Sequence, residues 1–344
     1  MLYGRHQLDK AGEELIGSDP FKRNDALAIV QSWRDTHLYV LQELNKQLYA
    51  LFAEHKIEYA FSSMRIKRMV SIEEKLRNNI TKGTKLGGLQ DIGGIRYVFQ
   101  SIQELDNVKE ILDIFTPDNF TLKRIYDYVQ APKESGYRSI HYVYQFHSDN
   151  TKYDKIHIEL QVRTRLQHTW AMAVETASLI TKTTLKADAD NQHDWRNFFK
   201  LISALFAREE RKPVHTSFAN YSEKNFCSEY FNYKAKKLIE KFNALRVVVN
   251  NDFNFDKEEK GCCVLTIDFA NRRVYGKIYT AEDASVAAAE FGQLESNAKD
   301  NEAVLMVAIE KIKEIREAYP SYFLDTQDFL MHLARFDKKC QLLF

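Results

Sequence analysis

Residues 155–164 read KIHIELQVRT, and apolar and polar side chains alternate along the whole segment. A period of two is the mark of a β-strand whose two faces meet different surroundings. Ile156, Ile158, Leu160 and Val162 form one face, and that face needs a core. His157, Glu159, Gln161 and Arg163 form the other. A chain with such a strand must build a sheet that is covered on one side. The polar row is then either a solvated outer surface or a row of working groups, and the strand alone leaves both readings open.

The neighbouring segments supply the rest of that sheet. RSIHYVYQF (138–146) reads as a second strand, and GGLQDIGGIRYVF (87–99) as a glycine-flanked loop running into a third. Leu27, Val30, Trp33, His37, Leu41, Leu44 and Leu48 recur at steps of three or four, which predicts a helix over 24–55. Helices are also predicted over 105–115 and 166–180. Another begins at Ser71, where Ser71 and Glu74 have the spacing of a capping box. The polar stretch 181–196 reads as a loop. Beyond it come a helix near 228–242, strands RVVVN, CCVLTIDF and RRVYGKIYT, a helix over 283–296, a strand VLMVAI, and helices over 311–318 and 326–335. This order predicts an α+β protein: helices over 1–50, a larger domain over 51–210 with a mixed, largely antiparallel sheet and flanking helices, and a smaller α+β domain over 211–344.

Composition narrows the classes. At 344 residues the chain can bury two cores. Its 49 Lys+Arg against 48 Asp+Glu leave a net charge of +1, so there is no global field for a polyanion. Any such site must be a local patch, and Arg208–Lys212 and Lys234–Lys237 are the candidates. No apolar run reaches the length of a bilayer span, and the start has no secretory apolar core. A cytoplasmic protein without membrane contact is expected. Cys227, Cys262, Cys263 and Cys340 contain no C-x-x-C pair, so free thiols rather than a zinc site are expected.

Four segments carry chemistry. In APKESGYRSIH (131–141), Pro132 and Gly136 make a turn around Lys133, Tyr137 follows where its ring is placed to stack on a base, and Ser139 and His141 share a strand face. In LQDIGGIR, Asp91 precedes the Gly93-Gly94 pair and Arg96 lies on the strand. In RIKRMVSIEEK, Arg65, Lys67 and Arg68 lead into a helix bearing Lys75. The fourth is the strand with Glu159. Taken singly, each has an ordinary reading as a hairpin, a turn or a solvated basic surface. Together they supply two carboxylates for a magnesium ion, cations for a polyphosphate and an aromatic stacker, which is the inventory of phosphoryl transfer.

In order and spacing these segments resemble the RelA/SpoT-type nucleotide pyrophosphokinases over residues 50–180. The resemblance runs through Arg65-x-Lys67 with Ser71 and Lys75, Asp91-Ile92-Gly93-Gly94-Ile95-Arg96, Pro132-Lys133-x-x-Gly136-Tyr137-x-Ser139-Ile140-His141, Glu159-x-Gln161-x-Arg163-Thr164, and Gln167-His168-x-Trp170 with Glu175. It implies that Asp91 and Glu159 hold Mg²⁺, and that Glu159 is the general base, positioned by Gln161. It assigns Arg65, Lys67, Lys75 and Arg96 to ATP, and Tyr137, Lys133, His141 and Arg163 to the acceptor. Two departures stand out. The family's lysine seven residues before Lys133 is Tyr126 here, beside Arg124 and Asp127. The HD motif of the hydrolase domains is missing, which implies synthesis without hydrolysis.

A narrower resemblance lies near the C-terminus. Tyr319-Pro320-Ser321-Tyr322 is similar to the Tyr-x-x-Tyr segment of CapRel proteins, and Ala11, Gly12 and Leu15 fit their opening. It implies that Tyr319 and Tyr322 are autoinhibitory at the ATP site. It also implies that the C-terminal domain senses a phage protein, a capsid protein by analogy; the three-strand sheet and the acidic helix near Glu282–Glu295 are the candidate surface, although no local feature singles them out. The implied function is transfer of the β,γ-pyrophosphate of ATP to the 3′ end of tRNA by an autoinhibited, translation-blocking toxin of anti-phage defence. The alternative is a small alarmone synthetase that acts on GDP or GTP. Intact Asp91 and Glu159 argue against a purely binding descendant.

Overall fold

The computed structural model describes residues 3–79, 83–184, 190–233, 250–251, 261–268, 273–280, 283–299, 302–309 and 326–343. The alternating segment is β5 (His157–Thr164). It lies between β4 (Ile140–Phe146), which is antiparallel to it, and β2 (Gly93–Phe99), which is parallel. β1 (Phe61–Ile66) pairs antiparallel with β2, and β3 (Phe120–Asp127) closes the far edge against β4. The sequence patterns assign no strand to 61–66 or 120–127. β1 carries Arg65 at the head of a basic cluster that reads as a turn, and β3 is an edge strand exposed along its middle, so neither shows a clean apolar period.

One face of this sheet is the core. α2 (Pro20–Glu54) lays Leu41, Leu44, Leu48 and Phe52 on Tyr97, Tyr142, Leu160 and Val162, and α4 (Ile102–Ile114) adds Val108 and Leu112. Each such side chain, once fully buried, contributes on the order of 1.5–3 kcal/mol. α2 starts four residues ahead of the predicted helix because Asp19 caps it, accepting the Phe21 N–H at 3.0 Å, and Pro20 occupies the first turn. Ser101 and Glu104 form a capping box on α4.

α1 (Arg5–Leu15) packs near α3 (Met69–Asn79) through the cluster containing Leu8, Ala11, Leu15, Ile72 and Leu76. Because α3 begins two residues ahead of Ser71, Ser71 lies inside the helix and does not cap it. The first turn is satisfied from elsewhere: the Met69 N–H donates to Glu295 at 2.7 Å. The predicted loop over 181–196 is helical at its described ends. α5 (Arg165–Thr184) runs into it, and α6 (Asp190–Glu209) starts within it, because Trp195 and Phe199 are apolar anchors at helical spacing in an otherwise polar stretch.

The C-terminal elements are α7 (Glu223–Asn232), β6 (Asn250–Asn251), β7 (Gly261–Asp268), β8 (Arg273–Tyr279), α8 (Ala284–Asn297), β9 (Glu302–Ile309) and α9 (Gln327–Gln341). Their strands join the first sheet: β9 pairs antiparallel with β1, Met64 opposite Ala308 and Arg65 opposite Val307. The result is one sheet in the order β3-β4-β5-β2-β1-β9-β7-β8-β6, mostly antiparallel, so the fold is α+β as predicted. α8 meets α2 where Glu295 pairs with the fully buried Arg34 at 2.8 Å. α9 packs on α6, with Phe329 against Phe199 and Phe206. The predicted helix over 311–318, the strand residues 246–249 and the helix residues 234–242 lie outside the described residues.

The expectation of four free thiols is corrected. Cys227 on α7 and Cys340 on α9 form a disulfide across a separation of 113 residues, while Cys262 and Cys263 are free and buried. Packing of α7 on α9 brings the two Cα atoms to 5.3 Å, a proximity that no local spacing announces. Among the described residues no helix is long and apolar enough to cross a membrane.

Candidate active site

The sheet face turned away from the core carries the polar row. Register puts Gly94 opposite Arg65 on one side and Glu159 on the other, and puts Gln161 opposite His141 and Arg96. A Cβ on Gly94 would meet only the Glu159 carbonyl oxygen, at 3.9 Å, so the floor between Arg65 and Glu159 is bare. A side chain there would stand in the cavity itself.

Asp91 ends the loop before β2. Its Oδ2 accepts Lys67 Nζ at 2.9 Å and Lys75 Nζ at 2.7 Å. Its Oδ1 is buried, with no hydrogen-bond partner among the described residues. Burial pushes this carboxyl up, but the two ammonium groups outweigh it and hold it well below the ordinary carboxylate range. Lys67 moves the other way: burial pushes it below an ordinary lysine, against the pull of Asp91.

Glu159 is bonded at both oxygens. Oε1 accepts the Nδ1–H of His141 at 2.8 Å, and Oε2 accepts Gln161 Nε2 at 2.7 Å. Burial raises its pKa, but these bonds lower it further, so the carboxylate stays ionised. With Nδ1 protonated, His141 Nε2 accepts the Tyr137 hydroxyl at 2.9 Å. Tyr137, His141 and Glu159 thus form one hydrogen-bonded chain.

Two cavities meet at this chain. The first, ≈ 1070 Å³, is lined by Lys75, Asp91, Lys133, Tyr137, His141 and Glu159. The second, ≈ 840 Å³, lies between α5 and α6 and is lined by Arg65, Arg96, Arg163, Trp170, Glu175 and Trp195. Tyr137 and Gln161 line both. A small cavity of ≈ 40 Å³ touches Arg65, Lys67, Asp91, Arg96 and Glu159 together.

The predicted residues therefore converge. Arg163, expected beside the acceptor residues, lines the second cavity together with Tyr137, Arg65 and Arg96. Burial and the neighbouring Arg96 push its pKa down to about 9. The sequence reading missed Tyr128, whose ring lies 4.2 Å from Lys133 Nζ and runs parallel to Tyr126 at 5.8 Å. The Tyr-x-Tyr spacing across the end of β3 is the signal that would have found it. It also missed Ser63, one strand from Arg96, whose buried hydroxyl has no hydrogen-bond partner among the described residues and lines the small cavity.

No group of three or more His, Cys, Asp and Glu side chains that could cage a metal exists among the described residues. Asp91 and Glu159 still fit Mg²⁺. Asp91 and Glu159 line the same small cavity, Asp91 keeps one oxygen without a hydrogen bond among the described residues, and this ion is typically held by one or two carboxylates with phosphate oxygens completing its shell.

Some members of the other expected surfaces are paired within the chain. Arg208 donates to the Tyr221 carbonyl at 2.8 Å, and Lys212 pairs with Asp106 at 2.7 Å. On α8, Glu290 pairs with Lys277 and Glu295 with Arg34. Glu282, Lys234–Lys237, Tyr319 and Tyr322 lie outside the described residues.

Residues 64–184 match the family model described as a region found in RelA / SpoT proteins. Over 112 residues it is 35% identical to the GTP pyrophosphokinase YjbM of Bacillus subtilis, covering 32% of this chain and 52% of that protein. Over 160 residues it is 24% identical to the GTP pyrophosphokinase YwaC of the same organism, covering 43% of this chain and 75% of that protein. The chain thus spans about half the length of the first relative. Among solved structures it is similar to small alarmone synthetase 1 of Bacillus subtilis bound to its product pppGpp, at 25% identity and a TM-score of 0.40, covering 50% of this chain and 87% of that one.

Proposed function

We propose that this chain is a pyrophosphokinase that transfers the β,γ-pyrophosphate of ATP to a 3′-hydroxyl. The observation that carries the reading is the position of Glu159. It is ionised, bonded by His141 and Gln161, and borders both the cavity with Tyr137 and the one with Asp91, Arg65 and Arg96. In the reaction the acceptor oxygen bonds to the β-phosphorus, the α-to-β bridge breaks, AMP leaves, and Glu159 takes the hydroxyl proton. The barrier falls through in-line positioning and charge neutralisation. Arg65, Arg96 and Arg163 bind ATP from the second cavity, while Lys67 and Lys75 keep Asp91 ionised beside the phosphates. Lys133 and Tyr137 hold the acceptor. Asp91 and Glu159 would hold Mg²⁺, which when bound offsets charge on the polyphosphate.

The two relatives are GTP pyrophosphokinases, which supports GDP or GTP as acceptor. One observation favours the 3′ end of tRNA instead. Where the family has a lysine, Tyr126 lies parallel to Tyr128 in the wall of the first cavity, with Arg124 bonded to its hydroxyl, which adds aromatic surface. Incubation with γ-labelled ATP and GDP, GTP or deacylated tRNA separates the readings by which acceptor gains label. If none gains label with Mg²⁺ present, the proposed activity is wrong.

We further propose that residues 211–344 regulate the synthetase region over 51–210. Support comes from the pairing of β9 with β1 beside Arg65. In this reading Tyr319 and Tyr322 cover the ATP site until a partner, a phage capsid protein by the CapRel resemblance, draws them off. Tyr319→Ala with Tyr322→Ala then makes the enzyme constitutively active and toxic on expression, and a quiet, folded double variant refutes the lid.

A further inference from the structure

The turn bearing Lys133 and Tyr137 is held from behind. Lys133, Ser135 and Tyr137 line the first cavity, and Glu134, Ser135 and Tyr137 also border the second. Glu134, Gly136 and Arg138 are tied to α6 and the segment just after it, which lie beyond the region matched by the family model.

Three ties are made. The Glu134 carboxylate bridges Lys200 and His215, the latter at 2.9 Å. The buried Ser203 hydroxyl donates to the Gly136 carbonyl. The Arg138 guanidinium, 3% exposed, pairs at 2.7 Å with Glu210, which also accepts Thr164 Oγ1 and Gln167 Nε2. Gly136 is required twice over. Its φ is +87°, and a Cβ would lie 3.1 Å from both Lys200 Cα and Ser203 Cβ. The ties are unequal. Glu134 is 84% exposed, so its pairs are screened and weak, whereas the Ser203 and Glu210 ties are buried.

We propose that α6 and Glu210 pre-set this turn for the acceptor, with Ser203 and Glu210 as positioning residues that never touch substrate. The proposal rests on reading the first cavity as the acceptor site. A loop that must be ordered on binding weakens affinity by the entropy it loses, and a loop held beforehand does not. The turn's own closure does the rest: the Gly136 N–H donates to the Lys133 carbonyl at 2.7 Å and the Lys133 N–H to the Tyr137 carbonyl at 3.2 Å, so holding Gly136 and Arg138 from behind fixes Lys133 and Tyr137 at the cavity.

The test varies each substrate separately in steady-state assays of Ser203→Ala, Glu210→Gln and Glu134→Ala, and follows amide exchange over residues 132–138 by mass spectrometry. Loss of the Ser203 hydrogen bond, or of the charge that faces Arg138, predicts an acceptor KM about 10-fold higher in the first two variants, with ATP KM and kcat within about 2-fold of wild type. Exchange over the turn should quicken in both, while Glu134→Ala stays close to wild type. Wild-type exchange in a folded Ser203→Ala variant overturns the clamp, as does an equal rise in both KM values. If Glu210→Gln does not fold, Ser203→Ala decides alone, since it removes a single hydroxyl. A wild-type chain that labels no acceptor would defeat the functional reading, while the exchange comparison still judges the clamp.

Discussion

At the scale of single residues, the two carboxylates of the site differ in how their oxygens are used. Asp91 gives one oxygen to Lys67 and Lys75, and its other has no hydrogen-bond partner among the described residues, whereas Glu159 is bonded at both. Asp91→Asn should therefore weaken Mg²⁺ binding, and Glu159→Gln should chiefly lower kcat, each slowing transfer by roughly 10²-fold or more. Circular dichroism should show both folded; near-normal transfer by either removes it from the site. A different residue sets acid sensitivity. His37 is buried with its Nδ1 donating to the Trp33 carbonyl at 3.0 Å, and burial pushes its pKa down to about 4. The unfolded chain protonates it near 6.5, so between those values the unfolded state binds more protons. Stability is then full above pH 6.5 and falls toward pH 4, by up to about 3 kcal/mol. Denaturation midpoints at pH 7 and 5 should converge in His37→Gln; a wild-type dependence in that variant would place the acid sensitivity elsewhere.

At the scale of elements, α3 depends on a residue far from it in sequence. Glu295 of α8 accepts the Met69 N–H at the start of α3 and pairs with Arg34 of α2, while α3 carries Lys75 to Asp91. Glu295→Ala leaves a fully buried guanidinium without its partner and an uncapped helix start. The expected loss is about 3–5 kcal/mol, the usual result of breaking a buried pair from one side. ATP affinity should fall as well, because Lys75 moves with α3. Urea titration and a separate ATP titration measure the two effects. A stability loss with unchanged ATP binding would confine Glu295 to packing.

At the scale of the whole molecule, the Cys227–Cys340 bond closes a loop that contains β6 to β9 and ties α9 to α7. Reduction, or Cys227→Ser, should lower stability by about 2–5 kcal/mol by releasing conformations of the unfolded chain. Melting with and without reductant checks this, and equal midpoints would show that the bond adds nothing. The same scale separates what was legible in the chain from what was not. The two faces of β5, the Gly93-Gly94 approach and the turn before Tyr137 could be read because each follows from backbone period or from a residue's own conformational range within a few positions. The chemistry of Asp91, Glu159 and Lys133 was legible for a similar reason, since carboxylates and ammonium groups announce themselves wherever they stand. Arg163 shows the limit. Alternation fixed its face of the strand, but its place beside Arg96 in the second cavity depended on how α5 and α6 close over the sheet. The pairing of β9 with β1, the Glu210 and Ser203 ties and the disulfide were likewise decided by tertiary packing. They join segments tens to hundreds of residues apart, and contacts at such separations arise from the fit of whole elements, which no local period encodes.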